Sequence, residues 1–216
     1  MFRFINIYYG MSGTFKSTTI ESEINKWRSE CKQKNENSYS SDNIDVMRSS
    51  IKTWKYYEKI LGQEQLDLNY ANLHLCRLKD HIYDSSKNNI QYLLVERGIT
   101  DMLYYYFKNN PSINVNESWI NNVVNEENVL CEQNHLYTPN KILLIQKDID
   151  FIENVILKEP TRSKEFPGGV KDYLENQNNY IEFTKSYNKI TKEIIIKDAE
   201  KYIVQDLGLK YNLNSK

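Results

Sequence analysis

The residues best suited to chemistry stand near the amino terminus, in the run Gly10-Met11-Ser12-Gly13-Thr14-Phe15-Lys16-Ser17-Thr18. An apolar, strand-like run precedes this segment, and a helical pattern begins at Lys16. Glycines permit a backbone whose N–H groups converge on a phosphate, and the start of a helix adds partial positive charge. We expect Lys16 to reach the terminal phosphates of a nucleotide and the Ser17 hydroxyl to hold Mg²⁺. The run therefore predicts a site for ATP and Mg²⁺.

One position departs from the usual phosphate-loop pattern G-x-x-x-x-G-K-[ST], because Phe15 stands where a glycine normally precedes the lysine. If that position needs a positive φ, phenylalanine costs about 1 kcal/mol or more in backbone strain. We therefore expect a slightly reshaped loop. The alternative interpretation is a Ser/Thr-rich helix cap after a strand, in which Lys16 is merely solvated.

A second group of candidate residues follows the apolar run 92–95, where Glu96 and Arg97 come directly after a buried type of strand. In an open parallel sheet, ligands bind beyond the carboxyl ends of the strands. Glu96 is expected to bind Mg²⁺ or to accept a substrate proton, and Arg97 to bind a phosphate through its planar guanidinium. We expect Gly98 to let the backbone turn sharply and Asp101 to cap the next helix. The alternative is an ion pair at a strand end.

A third group lies in the polar segment 159–169, where prolines and paired glycines bracket charged residues. We interpret the segment as a mobile loop, because no apolar stripe ties it to a core. Transfer of a phosphoryl group develops charge that a cation can neutralise. Arg162 is the first choice for that cation and Lys164 the second. The alternative is a solvated charged loop.

Strand-like and helix-like patterns alternate along the chain, and these elements must position the three groups. The apolar runs of strand type are 2–9, 44–47, 92–95, 142–145 and 194–196. The helical patterns start at Lys16 and then cover 53–61, 66–83, 101–107, 118–130, 149–157, 171–191 and 199–207. Strands separated by helices favour a parallel sheet covered on both faces. The sequence therefore predicts one three-layer α/β domain over residues 1–216.

Composition excludes several classes of protein. With 28 Lys and Arg against 29 Asp and Glu, the formal net charge is −1, which excludes a strongly basic nucleic-acid coat but not a local basic patch. No apolar run approaches the roughly 18 residues of a membrane span, so we expect no membrane partner. The three widely spaced cysteines favour a reducing cytoplasm over a disulfide framework or a zinc site. The excess of Asn, Ile, Lys and Tyr is typical of AT-rich coding, as in some phages.

These pieces together resemble the nucleoside and nucleotide kinase branch of the P-loop proteins, which includes deoxynucleoside kinases and thymidylate-kinase-like enzymes. The run from Gly10 to Thr18 is similar to the family's phosphate loop, and Glu96-Arg97 resembles the acidic-Arg pair after the third strand. Residues 161–165 resemble the lid, the segment that closes over the nucleotide, with Tyr173 and Tyr180 on the helix after it. The resemblance implies strand order 2-3-1-4-5, a lid at about 159–169, ATP with Mg²⁺, and phosphate transfer to a nucleoside or nucleotide.

A second departure concerns the acceptor of the phosphate. Deoxynucleoside kinases usually carry a glutamate base within a Glu-Pro pair after the second strand, and here residues 44–50 contain no such pair. A hydroxyl acceptor benefits from a base, whereas a phosphate acceptor is already ionised and needs cations instead. Arg48 suits a phosphate-bearing acceptor, which slightly favours a nucleoside monophosphate kinase over a nucleoside kinase. Asp45 is the reserve base for a hydroxyl acceptor.

Three rival functions remain at this stage. A switch or motor NTPase is disfavoured, because no hydrophobic run ends in the aspartate that such proteins use. The base-specificity motif of GTPases is also missing, since Asn140-Lys141 is followed by Ile142 and not by the aspartate that the motif requires. A kinase acting on a modified base or an end in nucleic acid needs a basic groove, to which Lys52, Lys55 and Lys59 would contribute, but the net charge does not favour it. The third rival is a nucleotide-binding protein without catalysis. The sequence does not indicate which base and sugar the substrate carries, or whether the protein forms a homodimer.

Overall fold

The computed structural model describes residues 2, 4–11, 13–34, 43–48, 63–88, 90–109, 111–112, 114, 116–134 and 139–196. The predicted helices 53–61 and 199–207 lie outside the described residues, as do Ser12 and the three lysines Lys52, Lys55 and Lys59. Among the described helices, none combines the length and the apolar character that crossing a lipid bilayer requires.

Five parallel strands form one sheet in the spatial order β2-β3-β1-β4-β5. The strands are β1 (Phe4–Tyr9), β2 (Ile44–Met47), β3 (Tyr92–Glu96), β4 (Asn140–Gln146) and β5 (Lys192–Ile196). The central strand β1 pairs with β3 on one side and β4 on the other, so that Ile7 lies opposite both Val95 and Lys141. The predicted fold class and the strand order implied by the resemblance are confirmed.

Helices connect the strands and cover both faces of the sheet. They are α1 (Lys16–Lys34), α2 (Gln63–Lys87), α3 (Ile99–Asn109), α4 (Glu117–Gln133), α5 (Ile149–Phe151), α6 (Pro160–Glu165) and α7 (Gly169–Tyr187). A π-helical segment, Ile152–Ile156, continues α5. Helix α1 begins at Lys16, where the sequence predicted its start, and extends to Lys34.

The three central strands β1, β3 and β4 are buried on both faces, which explains their nearly continuous apolar sequences. Along β1, successive side chains point to opposite faces. Ile7 and Tyr9 enter the larger core, which contains side chains of α2, α3, α4 and α7. Tyr8 faces the other way and packs with Ile20 and Ile24 of α1.

Apolar side chains on α1 and α2 are buried at helical spacing. They are Ile20 and Ile24 on α1 and Leu75, Leu78 and Ile82 on α2.

The segment 159–169 differs from the irregular loop that its composition predicted. Pro160 stands at the first helical position, where a missing N–H costs nothing, and α6 follows from it. Phe166 comes directly after α6 and is buried, with its ring edge-on to Tyr173 at 5.2 Å between centroids. The expectation that no apolar contact ties this segment to the core is therefore wrong, because the Phe166 side chain packs in the core.

Candidate active site

The phosphate loop joins β1 to α1 at the carboxyl edge of the sheet. Two of its positions require glycine: a Cβ on Gly10 would lie 2.3 Å from Thr14 Oγ1, and Gly13 has a φ of +85°. The loop also bonds to itself, since the backbone N–H and the hydroxyl of Thr14 both donate to the Met11 carbonyl, at 3.3 and 2.8 Å. The loop is thus a compact turn, and Phe15 has a φ of +54°, the positive value for which the sequence analysis expected strain.

Lys16 is buried at the centre of the site. Its Nζ donates to the carbonyl oxygens of Gly10 at 2.5 Å and Met11 at 3.0 Å. Burial, followed by the nearby charge of Arg97, lowers the pKa of Lys16 to about 7. The amine therefore lies inside the loop, where two of the loop's own carbonyl oxygens hold it.

A cleft of about 790 Å³ opens in front of the phosphate loop. Its walls come from the loop, from the ends of β2 and β3, and from the chain after α5. The lining residues are Gly13, Phe15, Lys16, Ser17, Thr18, Glu21, Arg48, Glu96, Arg97, Val155, Ile156, Glu159 and Arg162. The structure thus brings together the three groups that the sequence singled out, although up to 146 positions separate Lys16 from Arg162 in the chain.

Ser17 and Glu96, the two residues predicted to hold Mg²⁺, are in contact. Ser17 Oγ donates to Glu96 Oε1 at 2.5 Å. Mg²⁺ prefers oxygen ligands and usually keeps several waters, so one hydroxyl and one carboxylate fit it when substrate phosphates complete the shell. Within the described residues, no group of three or more His, Cys, Asp or Glu side chains could hold a metal without such help.

Arg97 forms the turn after β3, and its backbone has a φ of +75°. Its guanidinium lies 5.5 Å from the centroid of the Tyr105 ring and 3.4 Å from Asp101 Oδ1. The sequence assigned the sharp turn to Gly98, and that assignment is wrong, because Arg97 carries the positive φ. Glycine is needed at 98 for another reason: a Cβ there would lie 2.1 Å from the Tyr9 ring.

Asp101 caps α3, as predicted, and it also anchors the turn. Its Oδ2 accepts from the backbone N–H of Gly98 at 3.0 Å, and its Oδ1 accepts from Tyr180 Oη at 2.8 Å. The carboxyl group is fully buried, and burial raises its pKa. Asp101 therefore connects the Arg97 turn to α7.

Arg48 follows β2 and reaches the cleft, as predicted. Its guanidinium forms an ion pair with Glu21 of α1 and donates to the Ser17 carbonyl at 3.4 Å. The nitrogen that donates to Ser17, Nη1, also lies 3.9 Å from Glu96 Oε2. Glu21 is a cleft residue that the sequence did not single out.

Asp45, the reserve base, is not among the cleft residues. His81 Nδ1 lies 2.7 Å from its Oδ2, and the Ser85 hydroxyl donates to the same oxygen at 3.0 Å. Partial burial raises the pKa of Asp45, but the hydrogen bond and the charge of His81 outweigh it and leave the pKa below its usual value. Side chains alternate along β2, and this one faces α2, so a role of Asp45 as a base stays a prediction.

Arg162 extends into the cleft from α6. Its Nε lies 3.4 Å from Glu159 Oε2 and its Nη1 lies 2.6 Å from Glu165 Oε2. Lys164, the second choice for the same role, is exposed and does not line the cleft. Whether α6 moves as a lid stays a prediction.

Comparison with known proteins gives similarity in fold and not in sequence. No protein-family model and no curated protein matches the sequence. Among solved structures, thymidylate kinase from Ehrlichia chaffeensis aligns with a TM-score of 0.51 at 9% identity, over 91% of this chain and 87% of that one. Deoxyadenosine kinase from M. mycoides, solved with bound dCTP, aligns with a TM-score of 0.49 at 17% identity, over 96% and 98%. The chain has the P-loop kinase fold.

Glu127 of α4 is a buried residue of this P-loop kinase fold that the sequence analysis missed. One oxygen, Oε1, lies 2.7 Å from His74 Nε2 and accepts from the backbone N–H of Ile99 at 2.9 Å. The other oxygen accepts from Tyr9 Oη at 3.1 Å. The signal was present, since Glu127 lies on the apolar stripe of α4, three residues after Val124. His74 is buried against this carboxylate.

Proposed function

We propose that this protein transfers a phosphoryl group from ATP to a nucleoside monophosphate or a deoxynucleoside, with the monophosphate favoured. One observation carries the proposal: four basic side chains and a hydroxyl–carboxylate pair from separate chain segments line one cleft beside the phosphate loop. The basic side chains are Lys16, Arg48, Arg97 and Arg162. A P-loop kinase fold agrees with this reading, and the thymidylate kinase of similar fold makes nucleotides a natural class of substrate to test.

The donor side of the reaction belongs to the phosphate loop. The loop backbone and the start of α1 would bind the phosphates of ATP, with the Lys16 amine directed at the terminal ones. Ser17 and Glu96 would hold Mg²⁺, which supplies positive charge to the phosphate oxygens when bound. Arg162 stands on the opposite wall, where a cation stabilises the charge that develops during transfer.

The acceptor side favours a group that is already ionised. Arg48 and Arg97 come from the ends of two neighbouring strands and present cations to the same cleft. The carboxylates that line it are already engaged: Glu96 with Ser17, Glu21 with Arg48, and Glu159 with Arg162. Asp45 faces α2. A phosphate acceptor needs no base and gains from two arginines, which supports a nucleoside monophosphate over a hydroxyl acceptor.

A screen with labelled ATP tests the proposal. It covers nucleosides, nucleoside monophosphates and oligonucleotides, and the last arm addresses a kinase that modifies nucleic acid. Transfer to a monophosphate is the expected result. Transfer confined to oligonucleotides would replace the proposed acceptor, and ATP binding without transfer to any acceptor would indicate a nucleotide-binding protein instead.

Replacing Lys16 by alanine tests whether the phosphate loop is the site of phosphoryl transfer. Lys16→Ala should lower turnover by at least about a hundredfold, because it removes a charge contact to the reacting phosphates. The matched control is Lys79→Ala, since Lys79 lies on an exposed helix face and pairs only with Glu126 at 2.6 Å among the contacts of the described residues. Circular dichroism verifies that both variants are folded. A folded Lys16→Ala protein with unchanged turnover contradicts the assignment.

A further inference from the structure

Phe15 is the least expected residue of the phosphate loop. Its φ of +54° is a strained conformation for a bulky side chain, and such strain persists only where the surroundings determine it. The ring has a specific partner: it stands edge-on to Phe151 of α5, with 5.1 Å between ring centroids. This geometry is one that aromatic pairs prefer. The phenylalanine therefore makes a contact that glycine at this position cannot make.

Gly13 provides a second contact between the loop and the same segment. A Cβ on Gly13 would lie 3.0 Å from Ile156 Cγ2 and 3.1 Å from its Cδ1, so the isoleucine packs directly on the glycine backbone. Ile156 is buried in the larger core. The phosphate loop is thus packed at two points against residues 151–156.

The π-helical segment leads from these contacts to Arg162. A π turn is wider than an α turn, and such turns are frequent at functional sites. Here Ile156 is buried in the core and its neighbour Val155 is exposed, and both residues line the cleft. The Ile156 carbonyl then accepts from the backbone N–H of Glu159 at 3.3 Å, and Glu159 is the N-cap of the helix that carries Arg162.

The two ends of α6 are held differently. Its carboxyl end is followed by buried Phe166, and Lys108 of α3 lies 4.0 Å from Glu165 and 5.2 Å from the Phe166 ring centroid. Its amino end connects only through residues 157–159 to the segment that Phe15 contacts. A change in the phosphate loop therefore reaches α6 at its amino end first.

We propose that Phe15 is a positioning residue that couples the phosphate loop to α6, so that a nucleotide in the loop sets the position of Arg162. The coupling runs through the Phe15–Phe151 ring contact and the packing of Ile156 on Gly13. It rests on the proposed function in one respect, namely that the loop binds ATP. It also explains why phenylalanine stands where a glycine would be less strained.

The test combines two single variants with their double variant. Phe15→Gly accepts the positive φ without strain and removes the ring, and Phe151→Leu keeps apolar bulk on the other side of the contact. Three quantities are measured: ATP affinity by calorimetry, turnover with the identified acceptor, and amide hydrogen exchange of residues 159–165 with and without ATP. Phe183→Leu is the control, because Phe183 belongs to another aromatic cluster, with Tyr104, Phe107 and Tyr187, and does not line the cleft.

We expect ATP to slow exchange in α6 of the wild-type protein and of the control. Phe15→Gly should keep ATP affinity within about threefold, lose most of that protection, and lower turnover by about tenfold through a misplaced Arg162. Phe151→Leu should behave in the same way, and the double variant should be no worse than either single variant, because both remove one contact.

Three results with the variants would overturn the coupling. One is protection of α6 by ATP that is equal in Phe15→Gly and the wild type. Another is a loss of ATP affinity with turnover unchanged, which would make Phe15 a ground-state contact of the nucleotide. The third is additive effects of the two variants. A wild-type protein that does not bind ATP would overturn the proposed function together with the coupling, whereas ATP binding without protection of α6 overturns the coupling alone.

Discussion

Arg97 and Arg162 face the same cleft, but the protein holds them in opposite ways. The Arg97 side chain is 16% exposed and pairs with Asp101, which is fully buried. The Arg162 side chain is 29% exposed and pairs with Glu159 and Glu165 of its own segment, which are 54% and 24% exposed. One arginine is enclosed by partners from the core, and the other by partners at the surface.

This difference indicates what each arginine can do. A buried charge that loses its partner is strongly destabilising, so Arg97 keeps one position. Exposed ion pairs contribute only about 0–1 kcal/mol, so Arg162 can exchange its carboxylates for a phosphate at little cost. We infer that Arg97 belongs to a preformed part of the site and Arg162 to a part that responds to ligands.

The largest expected effect concerns the buried support of the Arg97 turn. Glu127→Ala should lower the free energy of unfolding by about 3 kcal/mol or more, because the N–H of Ile99, the Tyr9 hydroxyl and His74 would all lose a buried partner. The neighbouring variant Glu126→Ala is the control, since Glu126 is exposed and should change stability by no more than about 0.5 kcal/mol. Urea unfolding measures both. Equal losses in the two variants would mean that the turn does not depend on this carboxylate.

The next prediction distinguishes Arg162 from Arg97 by whether their replacement lowers turnover alone or stability as well. Arg162→Ala should lower turnover by at least about a hundredfold and leave ATP affinity and stability nearly unchanged, because its contact strengthens as charge develops. Arg97→Ala should lower stability as well, since Asp101 would stay buried without its cation. Calorimetry, turnover and urea unfolding give the three quantities. If Arg162→Ala weakens ATP binding but keeps turnover at saturating ATP, Arg162 serves ground-state binding.

A smaller effect depends on pH and on Glu23, a buried carboxyl group of α1. Its Oε2 accepts from Tyr8, its Oε1 has no hydrogen-bond partner among the described residues, and burial raises its pKa to about 7 from the usual 4.5. The folded state then binds more protons than the unfolded state between these values. The stability from this group is complete below pH 4.5 and is lost as the pH rises through 7.

Glu23→Gln should remove that pH dependence. We expect the wild-type free energy of unfolding to fall by about 2 kcal/mol more than that of the variant when the pH rises across this window. Urea unfolding at several pH values measures the difference. Parallel pH profiles would show that Glu23 is ionised in the folded protein throughout.

The smallest expected effect belongs to the surface pairs around Arg162. Glu165→Gln should change the free energy of unfolding by no more than about 0.5 kcal/mol, because the ion pair is partly exposed. Turnover should rise, but by no more than about threefold, since the freed arginine reaches the phosphates more readily. A large loss of stability would show that this pair is part of the core support and that Arg162 is held as firmly as Arg97.

Several features of the fold and the site followed from local patterns. The run from Gly10 to Thr18 predicted the phosphate loop, and the parallel arrangement predicted that Glu96 and Arg97 would meet Lys16 at one sheet edge. The strain at Phe15 was also anticipated. Two details were wrong: the turn at Gly98 and the irregular loop at 159–169, which contains a helix tied down by Phe166.

The sequence by itself determined the alternation of buried strands and helices and the chemistry available after β1 and β3, because both depend on residues that are neighbours in the chain. Only the tertiary structure decided which side chains support them. Glu127 and Tyr9 are 118 positions apart, and their hydrogen bond exists because α4 packs beside β1. The same holds for Phe15 and its partner Phe151. Phe151 follows β4 in the chain, and the two rings meet because β4 pairs with β1 in the sheet. Contacts between distant segments depend on how the elements pack, and no local pattern contains that information.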